Sequence, residues 1–255
     1  MKTIRSIAAL REELAGRSGT LALVPTMGAL HAGHRALIEA ARAECETVVV
    51  SLFVNPAQFN EAADLASYPR DEQRDATIVA DAGADVLFAP EPDEIYPGGF
   101  QTWVDVEELS RGLEGAYRPG HFRGVATVCL KLFNIVRPQV AYFGQKDAQQ
   151  IAVIRRMVLD LNLDLTVRSI PTVRDPDGLA ISSRNVLLSE AERAAALALP
   201  RALATRDPAV ARAELDGLDI DYVEVADFDP PVLAAAVRVG STRLIDNVIL
   251  NEEER

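Results

Sequence analysis

The stretch TLALVPTMGALHAGHRALIEAARAECETVVVSLFV, residues 20–54, decides the fold. TLALVPT (20–26) is an apolar run of strand length. GHRALIEAARAECE (33–46) then repeats apolar residues at helical spacing, with Leu37, Ile38 and Ala41 on one face. TVVVSLFV (47–54) is β-branched and apolar on both faces, as a strand covered on both sides requires. Asn55-Pro56 ends it, because proline cannot extend the ladder. Strand, helix and strand in this order form a βαβ unit and predict an α/β fold with a parallel, Rossmann-like sheet.

The same alternation continues outward. DEQRDATIVADAGA (71–84) reads as a helix and DVLFAP (85–90) as a strand; FRGVATVCLKLFNIV (122–136) and QVAYFG (139–144) repeat the pair. QKDAQQIAVIRRMVLDLN (145–162) is amphipathic, and LDLTVRSIPTV (163–173) closes the series. An Ala-rich helix is predicted near 189–205, opened by Ser189 with Glu192 three residues on, a capping box. IDYVEVADFD, PPVLAAAVRVG and TRLIDNVIL complete a smaller α+β unit. The expected division is a nucleotide- and substrate-binding domain over 1–172 and a small C-terminal domain over 173–255.

Composition narrows the function. The chain has 255 residues, enough for one large or two modest domains, and a net charge of −12. That charge repels a phosphate backbone, so nucleic acid is not an expected partner. Cys45 and Cys129 lie far apart and outside any CxxC pair, which reads as reduced, structural thiols of a cytoplasmic protein. No signal peptide and no run near the ~18 apolar residues of a membrane span is expected, so no membrane association is predicted.

In an open parallel sheet ligands bind beyond the carboxyl ends of the strands. The unusual segments follow strands: TMGALHAGH, NPAQF, FGQKDAQQ and RDPDGLAISSRN, all candidates for one cleft. The first is a glycine turn entering a helix, where free N–H groups and the helix dipole favour an anion such as phosphate. His31 and His34 would project from the same side of the first helical turn. Solvated histidines are the bland alternative; a zinc pair is the weaker one, since zinc takes three or four ligands. Neither GxGxxG in the first turn nor GxxxxGK[ST] anywhere is present, so hydride transfer and P-loop chemistry are not signalled.

Lys146 with Asp147, and Ser182, Ser183 and Arg184, are further anion-binding candidates; each alone reads equally as a solvated helix start or a surface loop. Gln58 and Gln150 are neutral groups suited to hydroxyls and a carboxylate, though glutamines at these places can be plain surface residues. His121 and Arg123 read as loop-cap residues first, lid or substrate groups second.

In this order TMGALHAGH, FVNPAQF, YPR, EGAYRPGHFRG, YFGQKDAQQ and PTVRDPDGLAISSRN closely resemble the pantoate–β-alanine ligase (pantothenate synthetase) family, over nearly the whole chain. That family is nucleotidyltransferase-like, with HIGH- and KMSKS-type signatures that HAGH (31–34) and ISSR (181–184) resemble. The resemblance implies ATP-dependent joining of pantoate and β-alanine through pantoyl adenylate, with Mg2+ accompanying ATP and a homodimeric assembly. Carried over by residue, ATP contacts fall on Met27, Gly28, Ala29, Leu30, His31, Ala32, Gly33 and His34. They fall also on Gly144, Gln145, Lys146, Asp147, Val173, Ile181, Ser182, Ser183 and Arg184. His34 is the implied proton donor, with His31, Lys146 and Arg184 also catalytic. Gln58, Gln150 and Asn55 serve the substrates, and Asp75 is a weak metal candidate. Gln145 stands where the family usually has Glu, and the C-terminal part is short. Rival readings are another adenylyl or cytidylyl transferase, an aminoacyl-tRNA synthetase and a non-catalytic nucleotide-binding module.

Overall fold

The computed structural model describes residues 1–60, 65–66 and 68–251. It divides into two compact units: residues 1–143 with 153–170, and residues 144–152 with 171–255.

The first unit is built on a six-stranded sheet in the order β1-β4-β3-β2-β5-β6. Its strands are β1 (Lys2–Ile4), β2 (Leu21–Thr26), β3 (Thr47–Leu52), β4 (Val86–Phe88), β5 (Val140–Gly144) and β6 (Thr166–Ile170). The registered pairs β1/β4, β4/β3, β3/β2 and β2/β5 are all parallel. The anticipated α/β architecture is therefore present. β1 was not foreseen: three half-polar residues carry no strand period, and the strand exists because it pairs along β4 at the sheet edge.

Helix α1 (Ile7–Ala15) follows β1, α2 (Ala32–Glu44) joins β2 to β3, and α3 (Glu72–Asp81) precedes β4. Leu37, Ile38 and Ala41 of α2 and Val79 of α3 pack with Ala22, Val24, Val48, Val50 and Leu87 of the strands in one apolar cluster. α4 (His121–Val136) is buried along most of its length, and α5 (Ala148–Asp160) follows β5. Because the order reverses about β2, with β3 on one side and β5 on the other, the carboxyl end of β2 is a topological switch point. Pro25 lacks an N–H there, and on the β3 side Thr26 donates its hydroxyl to the Ser51 carbonyl at 2.7 Å.

The second unit carries an antiparallel sheet of β7 (Asp219–Ala226), β8 (Val232–Val239) and β9 (Thr242–Ile249). Against it pack α6 (Glu190–Ala196), α7 (Ala198–Ala204) and α8 (Pro208–Glu214) through Ala196, Leu199, Leu203, Ala211 and Leu215. The single Ala-rich helix expected near 189–205 is thus two. Pro200 has no N–H to return to the Ala196 carbonyl, and the chain breaks at Leu197. The Ser189/Glu192 capping box is formed as read. Residues 144–152 group with this unit because β9 holds their backbone, as described below.

Candidate active site

In the first unit the loop leaving β2 turns through Gly28 and Ala29, both at positive φ (89° and 51°). Glycine is required at 28: beyond its backbone angle, a Cβ would stand 3.0 Å from Asp75 Oδ2. Asp75, 1 % exposed on α3, accepts from Ala29 N at 2.9 Å through Oδ2 and from Leu30 N at 2.8 Å through Oδ1. The acidic side chain carried as a weak metal candidate thus turns both oxygens to the loop's backbone.

His31 is the N-cap of α2. Its Nδ1 accepts from Gly33 N at 3.2 Å, while His34 Nδ1 accepts from His31 N at 3.3 Å. The two rings lie 4.1 Å apart, centroid to centroid. This corrects the expectation that the turn offers free N–H groups. Those of Ala29, Leu30, His31 and Gly33 are consumed within the protein. A neutral imidazole that accepts at Nδ1 carries its proton on Nε2, so each histidine converts a backbone donor into an Nε2–H. The same argument disfavours a zinc pair, because a protonated Nε2 has no lone pair for a metal. Among the described residues no group of three or more His, Cys, Asp or Glu could hold one.

Beyond β3, Asn55 and Gln58 bracket a 3-10 turn, Pro56–Gln58, and both are buried. Asn55 donates through Nδ2 to Gln58 Oε1 at 2.9 Å and to the Gly124 carbonyl at 3.1 Å. Its Oδ1 accepts from Ala57 N at 3.3 Å and from the Tyr96 hydroxyl at 2.9 Å. With every polar position filled, Asn55 fixes the Gln58 amide: Oε1 faces Asn55, and Nε2 donates to Met27 Sδ at 3.0 Å. Gln58 and Met27, on different loops of this unit, are therefore in contact. Since sulfur is a weak acceptor, the Gln58 amide keeps most of its donor capacity for a ligand oxygen.

Of the partners of this turn, His121 reads in the sequence as a loop-cap residue, while Gly124 and Tyr96 escaped sequence reading. His121 begins α4, buried, with Nδ1 3.0 Å from the Gln58 carbonyl. Gly124 lies so close that a Cβ would meet the Ala57 carbonyl oxygen at 2.3 Å. A glycine inside an otherwise apolar helix was the available signal. Burial, chiefly, and then the Cys129 charge raise the Tyr96 hydroxyl above its ordinary range, so it remains a donor to Asn55, which pulls the other way.

In the second unit Gly144 leads into a 3-10 turn, Gln145–Asp147. Lys146, Ser182 and Arg184 line one pocket together with Asn185, Arg243 and Asp246. The candidate cations of two separate motifs thus meet within this unit. Lys146 Nζ lies 3.7 Å from Asp147 Oδ1. Ser182 caps the turn Ser183–Leu187 by accepting from Arg184 N at 3.2 Å. The Val173 carbonyl accepts from Ile181 N at 3.0 Å, tying the arm that carries Ser182 to its own start. Arg174 makes a bidentate pair with Asp246, 2 % exposed, at 2.6 and 3.0 Å. Gln150 sits half-buried on the first turn of α5. Asp246 and Asn247 were also missed; two polar residues inside the apolar strand RLIDNVIL were their signal.

A sequence model of pantoate–β-alanine ligases matches residues 1–249. The pantothenate synthetase of Heliobacterium modesticaldum is 52% identical, with 98% of each chain covered, and that of Geobacter sulfurreducens is 50% identical over the full length of both. Among solved structures, the pantothenate synthetase of Thermus thermophilus superposes with a TM-score of 0.93 at 44% identity, covering 98% of this chain and 99% of that one. The pantoate–β-alanine ligase of Francisella tularensis, complexed with β,γ ATP and β-alanine, gives 0.87 at 35% identity, covering 98% and 97%.

Proposed function

The chain belongs to the pantoate–β-alanine ligase family, and on that premise we propose that it condenses pantoate with β-alanine through a pantoyl adenylate. In the first step a pantoate carboxylate oxygen bonds to the α-phosphorus of ATP. The bond from that phosphorus to the β-bridging oxygen breaks, and pyrophosphate leaves. In the second the β-alanine amine attacks the acyl carbon, the bond to AMP breaks, and the amine gives up a proton to yield pantothenate. A carboxylate is already a nucleophile at neutral pH, so the first step needs no base.

The observation that carries this reading is the reciprocal His31/His34 cap, which supplies two Nε2–H donors from one helix start. Attack at phosphorus gathers negative charge on the departing oxygens, and both Nε2–H groups would stabilise it by hydrogen bonding. The implied proton-donor role of His34 is read as hydrogen-bond donation, because a neutral imidazole that gave up its Nε2 proton would be left as an anion. Lys146 and Arg184 are assigned the remaining phosphate charge. Met27–His34, Gly144–Asp147, Val173 and Ile181–Arg184 are assigned the rest of ATP. Gln58, Gln150 and Asn55 are assigned the substrates, Asn55 by fixing Gln58. Magnesium enters as part of the substrate, Mg-ATP, and Asp75 is not assigned to it, because both of its oxygens accept from the loop's backbone. We assign the protein to the cytoplasm, in keeping with two free, buried cysteines, and to a homodimer, in keeping with the family resemblance. No helix among the described residues is long and apolar enough to cross a membrane.

The test is isotope exchange. Pantoate and Mg-ATP without β-alanine should return labelled pyrophosphate to ATP; adding β-alanine should release AMP and pantothenate. Exchange that strictly requires β-alanine would count against a free-standing adenylate.

A further inference from the structure

Asn247 lies on β9, paired in register with Ala234 of β8, and is 4 % exposed. Its side chain is spent on one short stretch. Nδ2 donates to the Gln145 carbonyl and the Lys146 carbonyl, both at 2.9 Å, and Oδ1 accepts from Gln145 Nε2 at 3.3 Å. The backbone of Asn247 is held in turn, its N–H donating to Asp246 Oδ1 at 2.8 Å. The turn Gln145–Asp147 that receives these bonds has no side-chain cap of its own. Two consecutive carbonyls fastened to one buried amide fix the path of the chain through residue 146.

We propose that Asn247 is a positioning residue: it sets where the Lys146 ammonium stands during adenylate formation, without touching substrate itself. A lysine stem has four rotatable bonds, so its charge reaches a defined point only if its backbone is defined. A misplacement of about 1 Å by a distant mutation can cost about 10²-fold in rate. The amide type matters because only a neutral amide donates twice to carbonyls and accepts once. Aspartate in the same space would accept only and would oppose both carbonyls.

This inference rests on the proposed role of Lys146, and a double-mutant cycle separates the two. The measurement is pantoate-dependent pyrophosphate exchange by the full-length enzyme at saturating Mg-ATP, with melting temperature recorded for each variant. Asn247→Ala and the isosteric Asn247→Asp should each lose ~10–10²-fold in exchange rate. In a Lys146→Ala background the same changes should cost almost nothing further, because a misplaced charge and an absent one are equivalent. A merely structural asparagine would exact its cost in both backgrounds, and that additivity would overturn the proposal. Gln145→Met removes the Nε2 donor to Asn247 together with the amide oxygen and should show a smaller loss that also vanishes with Lys146→Ala, which keeps the test open if Asn247 variants do not fold. Normal exchange by Lys146→Ala would overturn the role of Lys146 itself. Exchange lost in Lys146→Ala but intact in folded Asn247 variants would overturn the inference alone.

Discussion

At the scale of single residues, His31 has two separable duties. Its Nδ1 caps α2, and its Nε2–H is the proposed phosphate donor. Asparagine is among the best N-cap residues, whereas alanine costs roughly 0.5–2 kcal/mol at that position. His31→Asn should therefore keep the melting temperature near wild type while still losing exchange activity. His31→Ala should lose both. The scale expected for removing one charge-stabilising donor is ~10²–10³-fold in the adenylation rate, and the same loss is expected for His34→Ala. Single-turnover formation of pantoyl adenylate, alongside thermal melts, checks the pair. A fully active His31→Asn would show that capping is the whole role of this histidine.

At the scale of elements, the loop proposed to hold the substrates depends on how closely α4 approaches the turn after β3. A Cβ on Gly124 would overlap the Ala57 carbonyl and stand 2.7 Å from Gln58 N, so Gly124→Ala must push the helix and the turn apart. Overpacking of this kind costs typically ~1–3 kcal/mol. It should also raise the KM for pantoate far more than that for ATP, because Asn55 bonds the Gly124 carbonyl and orients Gln58. Steady-state kinetics with each substrate varied in turn, and chemical denaturation, read the two effects. An equal rise in both KM values would remove the turn from the pantoate pocket. Such contacts also mark where sequence reading stops. The βαβ series was legible because period and run length are local properties, and HAGH and GQKD were legible as residue types suited to phosphate. The reach of Asp75 to Ala29 and Leu30, of Gly124 to Ala57, and of Asn247 to Lys146 spans tens of residues and leaves no periodic trace. The edge strand β1 was hidden for the same reason: its existence depends on β4 and not on its own three residues.

At the scale of the whole molecule, stability should fall on the alkaline side through a group with no part in catalysis. Cys129 is fully buried on α4, and burial pushes its thiol from 9.0 up to about 12. The sign follows from proton counting. Above pH 9 the unfolded chain releases this proton while the folded chain keeps it, so unfolding liberates a proton and rising pH favours it. The contribution is fully present below pH 9 and is lost progressively as pH rises through the folded value, at up to ~1.4 kcal/mol per pH unit. The other groups that titrate in this range and the growing negative charge act on wild type and variant alike, so the difference between the two isolates the thiol. Cys129→Ala leaves a small cavity and starts less stable at neutral pH, yet its stability should decline less steeply above pH 9. The sole tryptophan, Trp103, belongs to the same unit and reports its unfolding by fluorescence. Urea midpoints at pH 8, 9.5 and 10.5 should bring the two curves together as pH rises. Curves that stay parallel would mean that the thiol titrates in the folded protein as it does in the unfolded one, and that α4 does not seal it from water.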